Sequence, residues 1–332
     1  MRILVLGGTQ WLGREIAATA LARGHAVTCL ARGESGDVAA GAELVVGDRS
    51  QPDAYDPLRD RRFDQVVDVS WQPGFVRGAL TALGERAGQW TYVSSGSVYA
   101  DTATLAADES VALHAPITTD TAGRERYSGA KVACEQAVAA AVGNRALIAR
   151  AGLIGGPGDH TDRTGYWVAR AARARRVAML VPDTPELSTQ VIDARDLAAW
   201  VVLAGEQGSV GTVNAVGPVV PFAEWIALAR EVGGHTGEVV TASPDWLEAH
   251  GVQEWAGDDS LPVWIATPGW EGFADRDGSR AAALGLVHRS RRDVVADTLV
   301  WERAQGLDRP RAAGLTASRE AELIAARRSL GD

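Results

Sequence analysis

The stretch Ile3-Leu4-Val5-Leu6-Gly7-Gly8-Thr9-Gln10-Trp11-Leu12-Gly13 decides how this chain is read. Four apolar residues without polar alternation describe a strand buried on both faces, as in a parallel sheet. Glycines follow at once, and residues 12–23 then carry a helical pattern that Gly24 stops. A strand that turns through glycine into a helix leaves the first helical N–H groups, with the positive end of the dipole behind them, facing the turn. A pyrophosphate suits that place. Glycine is needed where a side chain would block the turn, the phosphate or the strand–helix packing. Gly7, Gly8, Thr9, Gln10, Trp11, Leu12 and Gly13 are therefore expected to hold a dinucleotide.

The same alternation continues outward. Strands are expected at 25–30, 43–46, 65–69, 90–94 and 147–151, with helical composition over 76–87 and 122–142. Strands separated by helices imply right-handed crossovers and an α/β fold built on a doubly wound parallel sheet. Beyond residue 155, glycine, proline and tryptophan become frequent and the pattern loosens. A strand at 190–193 feeds a helix at 197–203, and a further strand is expected at 212–215. Helices are expected at 222–232 and 293–304, and Thr316 is placed to cap a last one running to 328. The expected division is a dinucleotide-binding domain at 1–160 plus 188–218, and a smaller, irregular α+β substrate lobe with C-terminal helices at 161–187 plus 219–332.

Composition narrows the function classes. The 332 residues carry a net charge of −9, which opposes non-specific binding to nucleic acid or to an anionic membrane surface, so neither partner is expected. The longest apolar run, 197–204, is far short of the roughly 18–20 residues that span a bilayer. Met1-Arg2 leads straight into the first strand with no signal-peptide pattern, and two isolated cysteines give no disulfide framework. A cytoplasmic setting is the expectation. Six scattered histidines give no metal-ligand spacing, so no metal is expected.

Which dinucleotide is bound depends on the charge after the second strand, read here as Cys29-Leu30-Ala31-Arg32-Gly33-Glu34. An arginine accommodates a 2′-phosphate and an acidic residue binds the ribose diol. Arg32 falls first, favouring NADP(H) over NAD(H), with a ribose hydroxyl on Glu34 as the alternative. Asp48, after the third strand, is placed to accept from the adenine amino group or to serve as a plain turn residue. Ser70, after the fourth strand, joins the expected cofactor-binding set.

The 33 basic residues include a single lysine, Lys131, and it lies four positions after Tyr127 in a helical segment. That spacing puts both side chains on one helix face. The serine-rich stretch Tyr92-Val93-Ser94-Ser95-Gly96-Ser97-Val98-Tyr99 leaves the fifth strand at the end of the sheet where such folds place their ligand crevice. A phenol with a pKa near 10 is a poor proton-transfer group at neutral pH. An ammonium about 4 Å away, at an effective dielectric near 20, contributes on the order of 4 kcal/mol, or about three pKa units. A serine hydroxyl beside such a pair can hydrogen-bond a carbonyl while hydride passes to or from nicotinamide. Tyr127, Lys131 and a serine of this stretch are the expected catalytic residues.

Together these motifs resemble the extended and atypical short-chain dehydrogenase/reductase superfamily, including NAD(P)-dependent epimerase/dehydratase-like proteins. The resemblance extends to Arg150-Ala151-Gly152, Ile192-Asp193-Ala194-Arg195-Asp196, Asn214-Ala215-Val216-Gly217 and Asp277-Gly278-Ser279-Arg280. It implies a Rossmann-type sheet, Tyr127 as acid/base, Lys131 as its electrostatic partner and ribose ligand, Ser95 as carbonyl orienter, and a homodimer through the helix bearing Tyr127. Gln10 departs from the usual middle glycine of the turn, with Gly8 or Arg14 available to compensate. Gly96-Ser97 stand where the family's dehydratases carry Asp-Glu, which argues against dehydration.

The expected activity is reduction or oxidation of a carbonyl/alcohol pair of a small molecule. A nucleotide-sugar epimerase using the same three residues is the alternative. A dinucleotide-sensing or RNA-associated protein on the same fold is a second, disfavoured by the intact triad and the acidic charge. Late tryptophans (Trp246, Trp255, Trp264 and Trp270), with Trp71 and Trp167, would suit an apolar or aromatic substrate or simply fill a core. Arg170, Arg173 and Arg176, at helical spacing, would grip a nucleotide diphosphate or form a solvated face.

Overall fold

A computed structural model describes residues 1–34 and 36–329 of the chain. The N-terminal half runs β1 (Arg2–Leu6), α1 (Trp11–Ala22), β2 (Ala26–Ala31), β3 (Glu43–Val46), β4 (Phe63–Asp68), α2 (Pro73–Leu83), β5 (Ala87–Ser95), α3 (Tyr127–Val142) and β6 (Ala146–Ala151). Then follow β7 (Leu153–Gly155), α4 (Tyr166–Arg173), β8 (Met179–Pro182), β9 (Ser188–Asp193), α5 (Ala194–Gln207) and β10 (Gly211–Ala215). One seven-stranded sheet has the order β10-β6-β5-β4-β1-β2-β3, every neighbouring pair parallel. This is the doubly wound α/β fold the first strand announces.

Burial on both faces explains the unalternating strand. Ile3 and Val5 pack with Ile16 and Ala20 of α1 and Val201 of α5. Leu4 and Leu6, pointing the other way, pack with Val76 and Leu80 of α2 and Cys134 and Val138 of α3. Strand order reverses beside β1, whose neighbours are β2 and β4, and a crevice opens there at the carboxyl ends of the strands.

Several element boundaries differ from the sequence reading, two helices most instructively. The segment read as helix from residue 122 becomes α-helical only at Tyr127, after a single 3-10 turn at Arg124–Arg126. Gln72 clamps the Ala122 backbone, accepting from its N–H at 2.9 Å and donating to its carbonyl at 3.1 Å, which withdraws both groups from any helical ladder. The second helix starts at Pro73, whose missing N–H costs nothing at the first helical position, and Ala87 opens β5 instead of ending the helix.

The rest of the chain adds β11 (Val219–Pro221), α6 (Phe222–Gly233), β12 (Val239–Ala242), α7 (Pro244–Ala249), α8 (Ser279–Ala283), α9 (Arg291–Gln305) and α10 (Ala317–Arg328). A second core joins Trp167, Leu180, Phe222, Trp225, Trp264, Leu299 and Leu323. Thr316 caps α10, its hydroxyl accepting from the Arg319 N–H at 3.1 Å. None of the described helices is long and apolar enough to cross a membrane.

Candidate active site

A cleft of about 960 Å³ opens at the carboxyl ends of β1, β4 and β5. Its floor is the glycine turn, where each glycine has a separate reason. Gly7 sits at φ +102°, a left-handed conformation that bends the chain out of β1. A Cβ on Gly13 would lie 2.2 Å from the Gly7 carbonyl oxygen, so α1 can close onto the turn only without one. Gly8 does not line the cleft but packs on Cys29 of β2, where a Cβ would lie 2.4 Å from Sγ. Burial pushes that thiol up to about 11, which leaves it a packing atom.

Thr9, Gln10, Trp11 and Leu12 line the cleft with Gly7 and Gly13. Gln10 stands at the N-cap of α1 but makes no capping bond, so the first-turn N–H groups are left for a ligand. These residues fit a pyrophosphate, with one correction. Neither Gly8, turned toward β2, nor Arg14, exposed beyond the cleft, compensates for Gln10, whose exposed side chain lines the cleft itself. Trp11 reaches across to donate from Nε1 to the Pro157 carbonyl at 2.9 Å and meets His160 edge-on at 5.9 Å.

Arg32 and Asp48 line the end of the cleft beyond β2 and β3. Arg32 is exposed and pairs with Glu34 at 3.3 Å, so the residue expected to take a 2′-phosphate and its alternative lie side by side. Asp48 accepts from the Ser50 N–H at 2.9 Å, a bond that holds its carboxylate below the ordinary range. Ser70 lies at the other side of the switch point. Its N–H donates to Asp68 at 2.9 Å, and its carbonyl accepts from Tyr92 Oη at 2.9 Å and Lys131 Nζ at 3.1 Å.

Ser95, Tyr127 and Lys131 all line this cleft. Ser95 ends β5, and its hydroxyl accepts from the Ser97 N–H at 3.1 Å. Tyr127 is the first residue of α3, its ring against Trp71 at 5.5 Å. Lys131 is buried. Its ammonium donates to Val93 O at 2.7 Å and Ser70 O at 3.1 Å and stands 4.8 Å from the Tyr92 ring. Two of its three donors are thus fixed on the backbone, and one remains for the cleft. Beneath the triad runs a buried network that explains two of the downstream segments. Arg150 holds Glu135 at 2.8 Å, Ser94 donates to Glu135 at 2.6 Å, and Tyr99 donates to Asn214 at 2.5 Å.

The substrate side corrects several expectations. Arg170 neither forms a solvated face nor reaches the cleft, because it is buried in an ion pair with Glu320 of α10. Arg173 approaches Asp308 at 4.0 Å, and Arg176 is exposed away from the cleft. Trp71 and Trp255 do line the cleft, whereas Trp167 and Trp264 belong to the second core, Trp246 stacks on His250 at 3.8 Å, and Trp270 is exposed. The sequence reading missed Arg49, Arg163, Phe273 and Arg276, all lining the cleft. Arg49 forms a bidentate pair with Asp68 at 2.9 and 2.7 Å. Asp159, 1% exposed, braces the loop before α4 by accepting from the Thr161 N–H at 2.9 Å and the Thr164 N–H at 3.0 Å. Among the described residues no cluster of His, Cys, Asp and Glu could hold a metal.

The profile of the family described as NAD dependent epimerase/dehydratase matches residues 3–217. Solved structures with the same fold include the UDP-N-acetylglucosamine 4-epimerase of Bacillus cereus, with TM-score 0.66 and 17% identity over 95% of this chain and 100% of that one. Another is the UDP-glucose 4-epimerase of Thermotoga maritima with UDP-glucose, with TM-score 0.67 and 16% identity over 92% of this chain and 99% of that one. A third is the UDP-glucuronic acid 4-epimerase of Bacillus cereus in complex with NAD, with TM-score 0.66 and 14% identity over 92% of this chain and 99% of that one. Among curated proteins, the photosystem II assembly factor Ycf39 of Synechocystis sp. is 41% identical over 75 residues, and the match spans only 22% of that protein's length. The chain belongs to the NAD dependent epimerase/dehydratase family, enzymes of the short-chain dehydrogenase/reductase type.

Proposed function

We propose that this cleft carries out hydride exchange on a carbonyl/alcohol pair of a small molecule. The observation that carries the reading is that Ser95, Tyr127 and Lys131, from two different elements, line one cleft with the glycine turn. A nicotinamide dinucleotide, when bound, supplies the hydride donor or acceptor. The remaining work falls to the chain. Ser95 hydrogen-bonds the substrate oxygen, and Tyr127 gives that oxygen its proton on reduction and takes it back on oxidation. Lys131 keeps a fixed positive charge at the site and has one N–H free for a ribose hydroxyl. The first turn of α1 holds the pyrophosphate.

NADP(H) is favoured because Arg32 lines the far end of the cleft, where a 2′-phosphate would lie. The clusters on the two faces of the sheet, distinct from the one around Trp167 and Trp264, support the division into a dinucleotide-binding domain, 1–160 plus 188–218, and a substrate lobe, 161–187 plus 219–332, of which 330–332 lie outside the described residues, although Ala281 and Leu286 of the second segment pack in the sheet's core. Two free buried cysteines support a cytoplasmic setting.

The UDP-sugar epimerases among the structural neighbours favour a second reading, transient oxidation and return of hydride on a nucleotide sugar. One experiment addresses both. Tyr127→Phe abolishes turnover while NADPH affinity, read by fluorescence titration, stays within a few-fold; surviving activity removes Tyr127 as the proton carrier. In the wild type, an oxidoreductase releases a changed dinucleotide each turnover, whereas an epimerase retains it.

A further inference from the structure

Three consecutive residues after β4 contact Tyr127, Lys131 or the chain that leads into them. The Ser70 carbonyl accepts from the Lys131 ammonium at 3.1 Å. The Trp71 ring lies against the Tyr127 ring, with centroids 5.5 Å apart and planes tilted by 54°. The Gln72 amide accepts from the Ala122 N–H at 2.9 Å and donates to the Ala122 carbonyl at 3.1 Å, just upstream of the phenol. The docking continues into the first turn of α2. There the Gly74 N–H donates to the Asp120 carbonyl at 2.8 Å, and a Cβ on Gly74 would lie 2.8 Å from Asp120 Cβ. Arg77 adds a bond to the Thr119 carbonyl at 3.1 Å.

The segment making these contacts is itself held. Asp68 is fully buried, pairs bidentately with Arg49 and accepts from the Ser70 N–H. Arg49 also donates to the Phe75 carbonyl at 2.9 Å, which ties the base of α2 to the same charge pair. Residues 68–75 therefore set a fixed distance between the end of β4 and the start of α3. That distance matters for a geometric reason. In an α-helix each Cα–Cβ bond tilts toward the N-terminus, so the Tyr127 side chain lies over whatever chain precedes it. An α-helix continued back through Ala122 would put further helical turns on that side. The Gln72 clamp instead leads residues 119–122 away along α2. The influence of an ammonium on a phenol also falls with their separation, so both have to be held.

We propose that Trp71 and Gln72 are positioning residues for proton transfer at this site. Gln72 sets where α3 begins, Trp71 sets the plane of the Tyr127 ring, and the Ser70 carbonyl beside them keeps Lys131 in step. Both residues act through Tyr127 and Lys131. This inference rests on the oxidoreductase reading of the cleft and adds two residues to its machinery.

Chemical labelling reads both members of the pair. Lys131 is the sole lysine, and of the five tyrosines Tyr55, Tyr92, Tyr99 and Tyr166 are at most 4% exposed, whereas Tyr127 is half-buried at the cleft. Acetylation by N-acetoxysuccinimide therefore follows Lys131, and nitration by tetranitromethane follows Tyr127, each located by peptide mass. Gln72→Leu removes both bonds to Ala122 at similar size. It is expected to speed both reactions about tenfold, as local opening after the loss of two hydrogen bonds implies, and to weaken NADPH in a fluorescence titration by about as much. Gln72→Glu still accepts from the Ala122 N–H but cannot donate, and falls between Leu and the wild type. Trp71→Leu speeds nitration, and Trp71→Phe, which keeps a ring there, restores the slow rate. Val138→Ala, a truncation of the buried core farther along α3, lowers the melting temperature and leaves both rates unchanged. The proposal is overturned if Gln72→Leu labels at the wild-type rates, or if Val138→Ala speeds labelling as much. Failure of the wild type to bind NADPH would instead sink the oxidoreductase reading, while the labelling rates still decide whether Trp71 and Gln72 hold the pair.

Discussion

Arg170→Met tests whether an arginine read from sequence as a ligand clamp is a structural tie. Arg170 on α4 and Glu320 on α10 are 3% exposed each, and their ion pair joins two elements far apart in the chain. Arg170 also donates to the Ala178 carbonyl at 2.6 Å, and Glu320 accepts the Leu180 N–H at 3.1 Å. Removing the guanidinium leaves a carboxylate buried without its counter-charge, which costs about 3–5 kcal/mol. Unfolding entropy of about 2.1 cal/mol/K per residue gives roughly 0.7 kcal/mol/K for a chain of this length, so the melting temperature falls by about 4–7 °C. The double variant Arg170→Met/Glu320→Leu replaces both charges with apolar groups and should recover most of that loss, because no unpaired charge remains buried. Calorimetry reads the stabilities, and a fluorescence titration reads ligand affinity. A single variant that melts within 1 °C of the wild type, or that keeps its stability while losing affinity for phosphate or UDP, refutes the assignment.

Arg32→Ala should weaken NADPH far more than NADH in parallel fluorescence titrations, because only the former carries the 2′-phosphate; equal losses would reverse the cofactor preference. At the opposite end of the sheet, Glu206 accepts from Arg23 and approaches His25 at 2.7 Å, and the Arg23 hydrogen bond lowers its pKa to about 2 from an ordinary 4.5. A carboxylate depressed on folding stabilises above its unfolded value, so this contribution is complete above about 4.5 and disappears as pH falls through about 2. The cluster is partly exposed, so screening limits it to about 1 kcal/mol or less. Denaturant melts of Glu206→Gln against wild type should differ slightly at pH 7 and converge near pH 2, and a gap that widens on acidification would contradict the sign.

Much of the fold was legible because local chemistry and tertiary structure agree in the first half. The edges of β1 to β6 fall within a few residues of the hydrophobic runs, since every strand but the exposed edge strand β3 is buried along nearly its whole length. Ser95, Tyr127 and Lys131 were legible for a different reason. They are set by short spacings on one strand end and one helix turn, and a solitary lysine among 33 basic residues draws attention to its neighbours. The start of α3 was not legible, because Gln72, fifty residues earlier, takes the Ala122 backbone out of the helix.

The sequence by itself determined the parallel sheet, the glycine turn and the one-face spacing of Tyr127 and Lys131, since each depends on residues a few positions apart. Tertiary structure alone decided which arginines meet carboxylates and which face the cleft. Arg170 meets Glu320 and Arg276 meets Tyr99 across more than a hundred residues of chain, and no periodicity records such a pairing. Charge carries no address in the sequence. Its role is fixed by what folding brings within a few ångströms of it and by how little water remains there.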